Sequence, residues 1–329
     1  MRLSLFSFLL FLFSSSFAQD TFSIVAVDPA TGEVGSAGAT CLDTNIEGVS
    51  AIIISDVLPG KGAIHTQSFW NATNQQRARL RMEEGFSPQA IMDYLVENDI
   101  QNNPAIRQYG AADFDDNGLP RAAAYTGPNC FDAKDHRVGE NYAVQGNILL
   151  DNWILDSMEA RFLNTAGSLA EKLMAAMQAA NVPGADSRCL NEGVSSRSAF
   201  IRVARPDDEA DNLFLDINVG ATPFGVEPID ELQSQFDAWL LSSTKEPTTT
   251  LSLEVFPNPA VDEIVIQWDG ISEVQIQILD INGQLCFVKN TIERKFRLRK
   301  NDLCESNILI IKMSDTQGQL IAVKKLIIN

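Results

Sequence analysis

Histidine is almost missing from this chain: His65 and His136 are the two among 329 residues. Zinc hydrolases and cysteine–histidine nucleophile pairs both depend on imidazoles. Neither histidine sits in a recognisable motif, so both chemistries are disfavoured. Basic side chains are scarce too: Lys and Arg total 25 against 43 Asp and Glu, a net charge of −18. Nucleic acid and anionic lipid are held by clustered cations, so neither is expected as a partner. The deficit is local. From Leu251 onward nine basic residues face ten acidic ones, which leaves the excess negative charge to residues 19–250. Beyond residue 20 no apolar run reaches the ~20 residues of a membrane-crossing helix.

Residues 1–18 differ in character from the rest of the chain. Arg2 precedes an apolar run from Leu3 to Phe13 broken only by Ser4 and Ser7, and Ser14-Ser15-Ser16-Phe17-Ala18 ends it with small residues. A basic start, an apolar stretch too short to span a bilayer comfortably and a small-residue exit predict a secretory signal peptide. Cleavage after Ala18 would leave Gln19 first, and with no cysteine at the cut a lipid anchor is not expected.

The chain as a whole is 45% hydrophobic and 21% charged, an ordinary globular balance, and its length predicts about two domains. Strand-like runs Thr21–Val27 and Glu33–Thr40 are joined by the turn chemistry of Asp28-Pro29-Ala30-Thr31-Gly32. Gly35-Ser36-Ala37-Gly38-Ala39 carries only tiny side chains, which lets another backbone or a substrate come close. Val49–Val57 is nearly all apolar and predicts a strand covered on both faces. Asn71 can cap a helix to about Glu84, and Ser87-Pro88 opens another through Leu95. Strands Tyr109–Phe114, Ala122–Tyr125 and Tyr142–Ile148 precede helices Trp153–Leu163 and Ser168–Ala180. Strands Ala199–Ala204 and Leu213–Val219 come next, then an amphipathic helix Ile229–Leu241. This order is α+β, not regular βαβ winding. The polar stretch 244–250 reads as a linker. Short alternating strands from residue 251 to 329 predict a small all-β, Ig-like sandwich. The expected divisions are therefore 1–18, 19–243, 244–250 and 251–329.

Export permits disulfides. Cys286 and Cys304 can bridge within the tail. Cys41, Cys130 and Cys189 allow one bridge and one leftover thiol; Cys41–Cys189 is favoured, although sequence alone does not choose.

The tail resembles the C-terminal sorting domain of the type IX secretion system of Bacteroidetes. The residues that carry this are Val255-Phe256-Pro257-Asn258-Pro259-Ala260, Ile278-Leu279-Asp280-Ile281-Asn282-Gly283, Gly318-Gln319 and Lys324-Lys325-Leu326-Ile327-Ile328. The resemblance implies that residues 251–329 engage the type IX machinery and that the protein is secreted or held at the cell surface by way of the periplasm. The first domain resembles domain-of-unknown-function family 1028 through Thr21-Phe22-Ser23-Ile24-Val25-Ala26, Thr31-Gly32-Glu33-Val34-Gly35, Gly62-Ala63, Thr66-Gln67, Arg107-Gln108, Tyr125-Thr126-Gly127, Gln145-Gly146-Asn147-Ile148-Leu149, Gly184-Ala185-Asp186-Ser187-Arg188 and Ser198-Ala199. That family is grouped by fold with the N-terminal-nucleophile (Ntn) hydrolases, which implies a four-layer αββα sandwich.

In the Ntn fold the first residue of the mature chain is the nucleophile, and Thr21 is the one residue placed for it. A threonine hydroxyl needs a base, and its own freed α-amino group, pKa about 8, can serve. Gln19 and Asp20 would have to be trimmed first. Gln67, Asn71, Arg107, Asn147, Asp186 and Arg188 are expected to line a binding cleft, with a structural ion pair and capping as the competing reading. Asp113-Phe114-Asp115-Asp116-Asn117-Gly118 matches the start of a calcium loop, but Ala124 stands where a bidentate Glu is required. A hairpin with Asn117-Gly118 in a type I′ turn is expected instead, and no metal or cofactor. Two functions are compatible with these residues: an amide- or peptide-bond hydrolase acting on an unidentified small molecule or peptide, or a non-catalytic binding protein on the same fold. The sequence does not fix the oligomeric state; a homodimer is compatible with it.

Overall fold

The computed structural model describes residues 21–243, 253–269, 273–280, 284–304, 306–314 and 320–328. The expected signal peptide and linker, Asn282-Gly283 and Gly318-Gln319 lie outside these. The chain divides into two compact units, one ending at Asp237 and one beginning at Ala238.

In the first unit, β1 (Thr21–Asp28) and β2 (Glu33–Thr40) form a hairpin. They are joined in one antiparallel sheet by β7 (Asp135–Val138), β8 (Tyr142–Gly146), β9 (Ser198–Ala204) and β10 (Leu215–Val219), in the order β10-β9-β2-β1-β8-β7. A second sheet runs β3 (Ser55–Leu58), β4 (Gly62–Gln67), β5 (Gln108–Phe114), β6 (Pro120–Thr126). Helices α1 (Ala72–Glu83) and α2 (Pro88–Glu97) pack on the four-stranded sheet, while α3 (Trp153–Asn164) and α4 (Leu169–Ala179) pack on the six-stranded one. Strand β1 touches β4 and β5 across the gap between the sheets. The domain is thus α+β, as its element order predicts.

Local chemistry sets the elements. Asn71 accepts the Thr73 and Asn74 amides at the start of α1, Ser87 precedes Pro88 at α2, and Ser168 and Glu171 form a reciprocal capping box at α4, so the first amides of each helix find acceptors. The tiny residues of β2 are approached by protein: a Cβ on Gly35 would lie 2.7 Å from Leu173 Cδ1 of α4, and one on Gly38 3.0 Å from Phe200. Two expectations are corrected. Val49–Val57 is not one strand: Ala51–Ile54 forms a 3-10 turn whose Ala51 and Ile54 bury against Phe200, and only Ser55 onward joins the sheet. A continuous apolar run has no period to reveal this. The β5–β6 hairpin forms, but without a type I′ turn. Only Gly118 has a left-handed φ, and the Asp115 carboxylate accepts the amides of Asn117 and Leu119.

Pleating divides β1 between two environments. Phe22, Ile24 and Ala26 face the α3–α4 side, whereas Thr21, Ser23, Val25 and Val27 face the other sheet. The inner face is therefore polar at the Thr21 end and apolar at the other, where Val25 and Val27 meet Val34, Val57, Ala63, Ala112 and Ala143.

The second unit takes in the end of a helix, Pro228–Ser243, and from Leu253 onward is built of strands. Antiparallel sheets β11 (Leu253–Phe256)-β12 (Glu263–Trp268)-β15 (Lys295–Arg299) and β14 (Leu285–Thr291)-β13 (Val274–Asp280)-β16 (Ile308–Ser314)-β17 (Leu320–Ile327) contribute to one core containing Ile264, Ile266, Trp268, Ile276, Ile278, Leu309 and Ile311. Disulfides join Cys286 to Cys304 here and Cys41 to Cys189 in the first unit; Cys130 is a buried thiol outside both bridges.

Candidate functional site

At the polar end of the inter-sheet layer a row of hydroxyl and amide side chains crosses four strands. Thr21 pairs with Thr40, and Thr40 with Ser198. On its other side Phe22 pairs with Gly146, which brings Asn147 beside Thr21, and the Asn147 amide donates to the Thr21 carbonyl at 3.1 Å. Side chains opposite one another in an antiparallel ladder share a face, so Thr21 stands between Asn147 and Thr40. All four residues are fully buried.

Beneath this row the amides form a connected chain. Ser23 Oγ donates to Gln67 Oε1 at 2.6 Å and accepts from Gln145 Nε2 at 2.6 Å. Gln67 Nε2 donates to the Thr21 carbonyl at 3.3 Å and to Gln108 Oε1 at 2.8 Å; Asn147 Nδ2 also donates to Gln108 Oε1, at 2.9 Å. Gln108 Nε2 reaches Thr126 Oγ1 and the Gly146 carbonyl. The Thr21 carbonyl is thus fixed from both sheets. Of five side-chain atoms buried without a hydrogen-bond partner among the described residues, Ser68 Oγ, Gln145 Oε1 and Asn147 Oδ1 lie in or beside this network. Buried polar groups left so are few in native proteins. Backbone strain gathers at the same place. Ser68 (φ 52°), Phe69 (φ 51°) and Ile148 (φ 52°) come directly after Gln67 and Asn147, and such conformations in non-glycine residues collect at functional sites.

On the Thr40 side, the fully buried Asp186 accepts the Cys41 amide at 2.8 Å and holds Arg188 through Nε at 3.0 Å and Nη2 at 2.7 Å. Arg188 Nη2 also donates to Thr40 Oγ1 at 3.2 Å. The Cys41–Cys189 disulfide ties this segment to the end of β2, so the guanidinium is fixed against Thr21's cross-strand neighbour. The carboxylate of Glu192, near these sulfurs, is taken by Arg197 at 3.0 Å.

Of the residues singled out in the sequence, Thr21, Gln67, Asn147, Asp186 and Arg188 come together at this end. Asn71 and Arg107 are otherwise engaged. Asn71 spends its side-chain oxygen on capping α1. Arg107, buried, pairs with Asp99 at 2.8 Å and donates to the Phe69 carbonyl and Gln101. Burial raises the Asp99 pKa, but bonds from Arg107, Asn103, Asn74 and Gln101 outweigh it and hold the carboxyl down at about 2. Thr40 escapes notice in the sequence, and Ser198, Ser23, Gln108 and Gln145 stand there within the segments that carry the family resemblance without being singled out as site residues. Each is an ordinary strand residue there, and only the pairing of strands distant in sequence assembles them.

His65 is unsuited to acid–base work. Gln145 Nε2 lies 3.2 Å from its Nδ1, its Nε2 has no partner, and the ring packs edge-on against Phe200. Burial, helped by the charge of Arg202, pushes its pKa down to about 3. His136, bonded through Nδ1 to Thr126 at 2.9 Å, is also pushed down by burial.

Two antiparallel sheets face to face, with a buried row headed by a threonine at one end, define an α+β domain, and an all-β tail completes the chain. The chain belongs to a family of unknown function (DUF1028), whose pattern it matches over residues 21–232, and residues 254–329 are a secretion system C-terminal sorting domain. The tail is the type that addresses proteins to the type IX secretion machinery, so the protein is delivered to the cell surface or beyond. The crystal structure of SPO2555 from Silicibacter pomeroyi, a member of the same family, superposes with a TM-score of 0.54 at 23% identity, covering 69% of this chain and 95% of that one. The ulvan lyase NLR42 of Nonlabens ulvanivorans is 31% identical over 94 residues, 28% of this chain but only 17% of that enzyme's length.

Proposed function

We propose that the first domain is an Ntn-type amidohydrolase in a four-layer αββα arrangement, exported by its signal peptide and sorting tail, with Thr21 as nucleophile. The observation that carries this is the position of Thr21: it heads β1 at the polar end of the layer between the sheets, flanked by Asn147 and Thr40, with its carbonyl held by the Asn147 amide and Gln67 Nε2. The reading requires the bond between Asp20 and Thr21 to be cut, which frees an α-amine beside the hydroxyl. That amine takes the hydroxyl proton as Oγ attacks the substrate's amide carbon. The amide C–N bond then breaks, the proton passes to the departing amine, and water hydrolyses the resulting ester. Asn147 and Arg188, fixed by Gln108 and Asp186 respectively, are placed to orient the substrate. An oxyanion would be held by backbone amides.

A second reading, a non-catalytic binding protein, is favoured by one feature: the expected signal cleavage leaves Gln19-Asp20 ahead of Thr21. N-terminal sequencing of exported protein separates the two, since a chain beginning at Thr21 supports the hydrolase. Labelling by a covalent threonine-directed probe should then be lost in Thr21→Ala. A mature chain that still begins at Gln19, or equal labelling of both proteins, would overturn the hydrolase reading.

A further inference from the structure

A cavity of about 250 Å³ opens at the same end of the six-stranded sheet, beyond Thr40, and no part of the proposed catalysis uses it. Its walls include Asp43, Ile46, Glu192, Arg197, Phe224 and Val226. Three of these are apolar yet open to solvent: Phe224 is 81% exposed, Ile46 66% and Val226 45%. Apolar groups grouped around a concavity mark a binding surface more often than isolated ones do. The walls are also built. The Thr44 amide donates to the Gly220 carbonyl at 3.0 Å, Asp43 Oδ1 accepts the Asn45 and Ile46 amides, and Thr222 Oγ1 closes on the Val226 carbonyl at 2.7 Å. These bonds hold the backbone of the two loops that bear the walls.

Its charge is one-sided. Arg197 is engaged by Glu192 at 3.0 Å and approached by Glu47 at 3.9 Å, and Asp43 adds a further carboxylate. With the carboxylates of Asp43 and Glu192 in the walls and Glu47 beside Arg197 but outside them, against one guanidinium, a carboxylate ligand is repelled and an amine attracted. Its volume, below the roughly 300 Å³ at which drug-sized sites begin, suits a single residue. Its position relates it to Thr21. The Arg197 amide donates to the Thr40 carbonyl at 2.9 Å, and Thr40 is paired with Thr21. At ~4.8 Å per strand, the backbone of Arg197, whose residue lines the cavity, is about 10 Å across the sheet from Thr21, the span of about three extended residues.

We infer that this cavity receives the apolar amino-terminal residue of a peptide-like substrate, aromatic or branched aliphatic, with its ammonium among the carboxylates and the bond to be cut about three residues away. The assignment of the cut to Thr21 rests on the hydrolase reading; the binding itself does not. Titration of the full chain with L-phenylalaninamide, monitored by NMR or calorimetry, should show saturable binding, with 3-phenylpropionate at least tenfold weaker. Phe224→Ala and Ile46→Ala should each weaken phenylalaninamide binding about fivefold, with unchanged circular dichroism because both side chains face solvent. Thr21→Ala should bind like the wild type, so a failed hydrolase leaves this result standing. Equal affinity for the two probes, no saturable binding, or indifference to both cavity variants would overturn the assignment.

Discussion

Gly110 on β5 lies directly under the side chain of Gln145 on β8: a Cβ at position 110 would stand 2.0 Å from Gln145 Oε1 and 2.6 Å from its Cδ. The two sheets approach this closely because one of the pair has no side chain. Gln145 is fixed by Ser23 and cannot swing away without breaking the amide chain below Thr21. Gly110→Ala should therefore destabilise the domain by roughly 1–3 kcal/mol, the usual cost of overpacking. In Gly110→Ala/Gln145→Ala the clash is gone, so urea titrations should give a double-mutant cost smaller than the sum of the singles. Additive costs would refute the steric account.

The Asp99–Arg107 pair predicts an acid limit. A carboxyl held at about 2 in the folded chain, against about 3.9 unfolded, stabilises the fold above the unfolded value and loses that contribution as pH falls from ~4 to ~2. The contribution is about 2 kcal/mol, both side chains being almost wholly buried. Arg107→Met strands Asp99 and should cost about 3–5 kcal/mol at neutral pH. It should also move the acid transition upward, since the carboxyl loses the guanidinium that keeps it ionised. Thermal melts from pH 7 to 2.5 read both effects.

Gly110 against Gln145 is not visible in the sequence because it joins strands that only the fold brings together, and Asp99 against Arg107, although close in sequence, depends on the course of the loop between them. Asn71, Ser87-Pro88 and Ser168 do reveal helix starts, because capping is a local bond within three residues, and the strands of the tail reveal themselves by alternation. Gln108, Gln145 and Ser23 give no such signal. A polar residue in a strand reads as solvent-facing, and these are buried because the opposing sheet also presents amides and hydroxyls at the same level. Strand β7, Asp135-His136-Arg137-Val138, is polar over most of its length and owes its conformation to pairing with β8. Thr21 is legible through family resemblance, whereas its neighbour Thr40 is known only from register.

His65 makes a separate pH prediction. Its folded pKa of about 3 lies below the ordinary 6.5, so between those values the unfolded chain binds a proton that the folded chain refuses, and stability falls as pH drops below ~6.5. This window opens above that of Asp99 and overlaps it only near its lower end. His65→Leu keeps an apolar contact with Phe200 and removes this titration, so its stability should fall less steeply from pH 6.5 to 4.5 than the wild type's, with a residual slope from His136, which burial also pushes down. Parallel slopes in the two proteins would show that other groups govern this range.

The cysteines give the last prediction. Two bridges and one buried thiol mean that unreduced full-length protein in guanidinium should titrate as one thiol, and as five after reduction. The bridges should differ in weight. Cys41 and Cys189 are 148 residues apart, Cys286 and Cys304 only 18. Constraint of the unfolded chain grows with the logarithm of the closed loop, which favours the longer bridge by about 2 kcal/mol. Cys41–Cys189 also ties the segment bearing Asp186 and Arg188 to β2. A Cys41→Ala/Cys189→Ala pair should thus lower the melting temperature of the first unit more than Cys286→Ala/Cys304→Ala lowers that of the tail. It should also raise hydrogen exchange at the backbone amide of position 41, which donates to Asp186 in the wild type. Protection unchanged at that amide would mean that the carboxylate alone holds the segment in place.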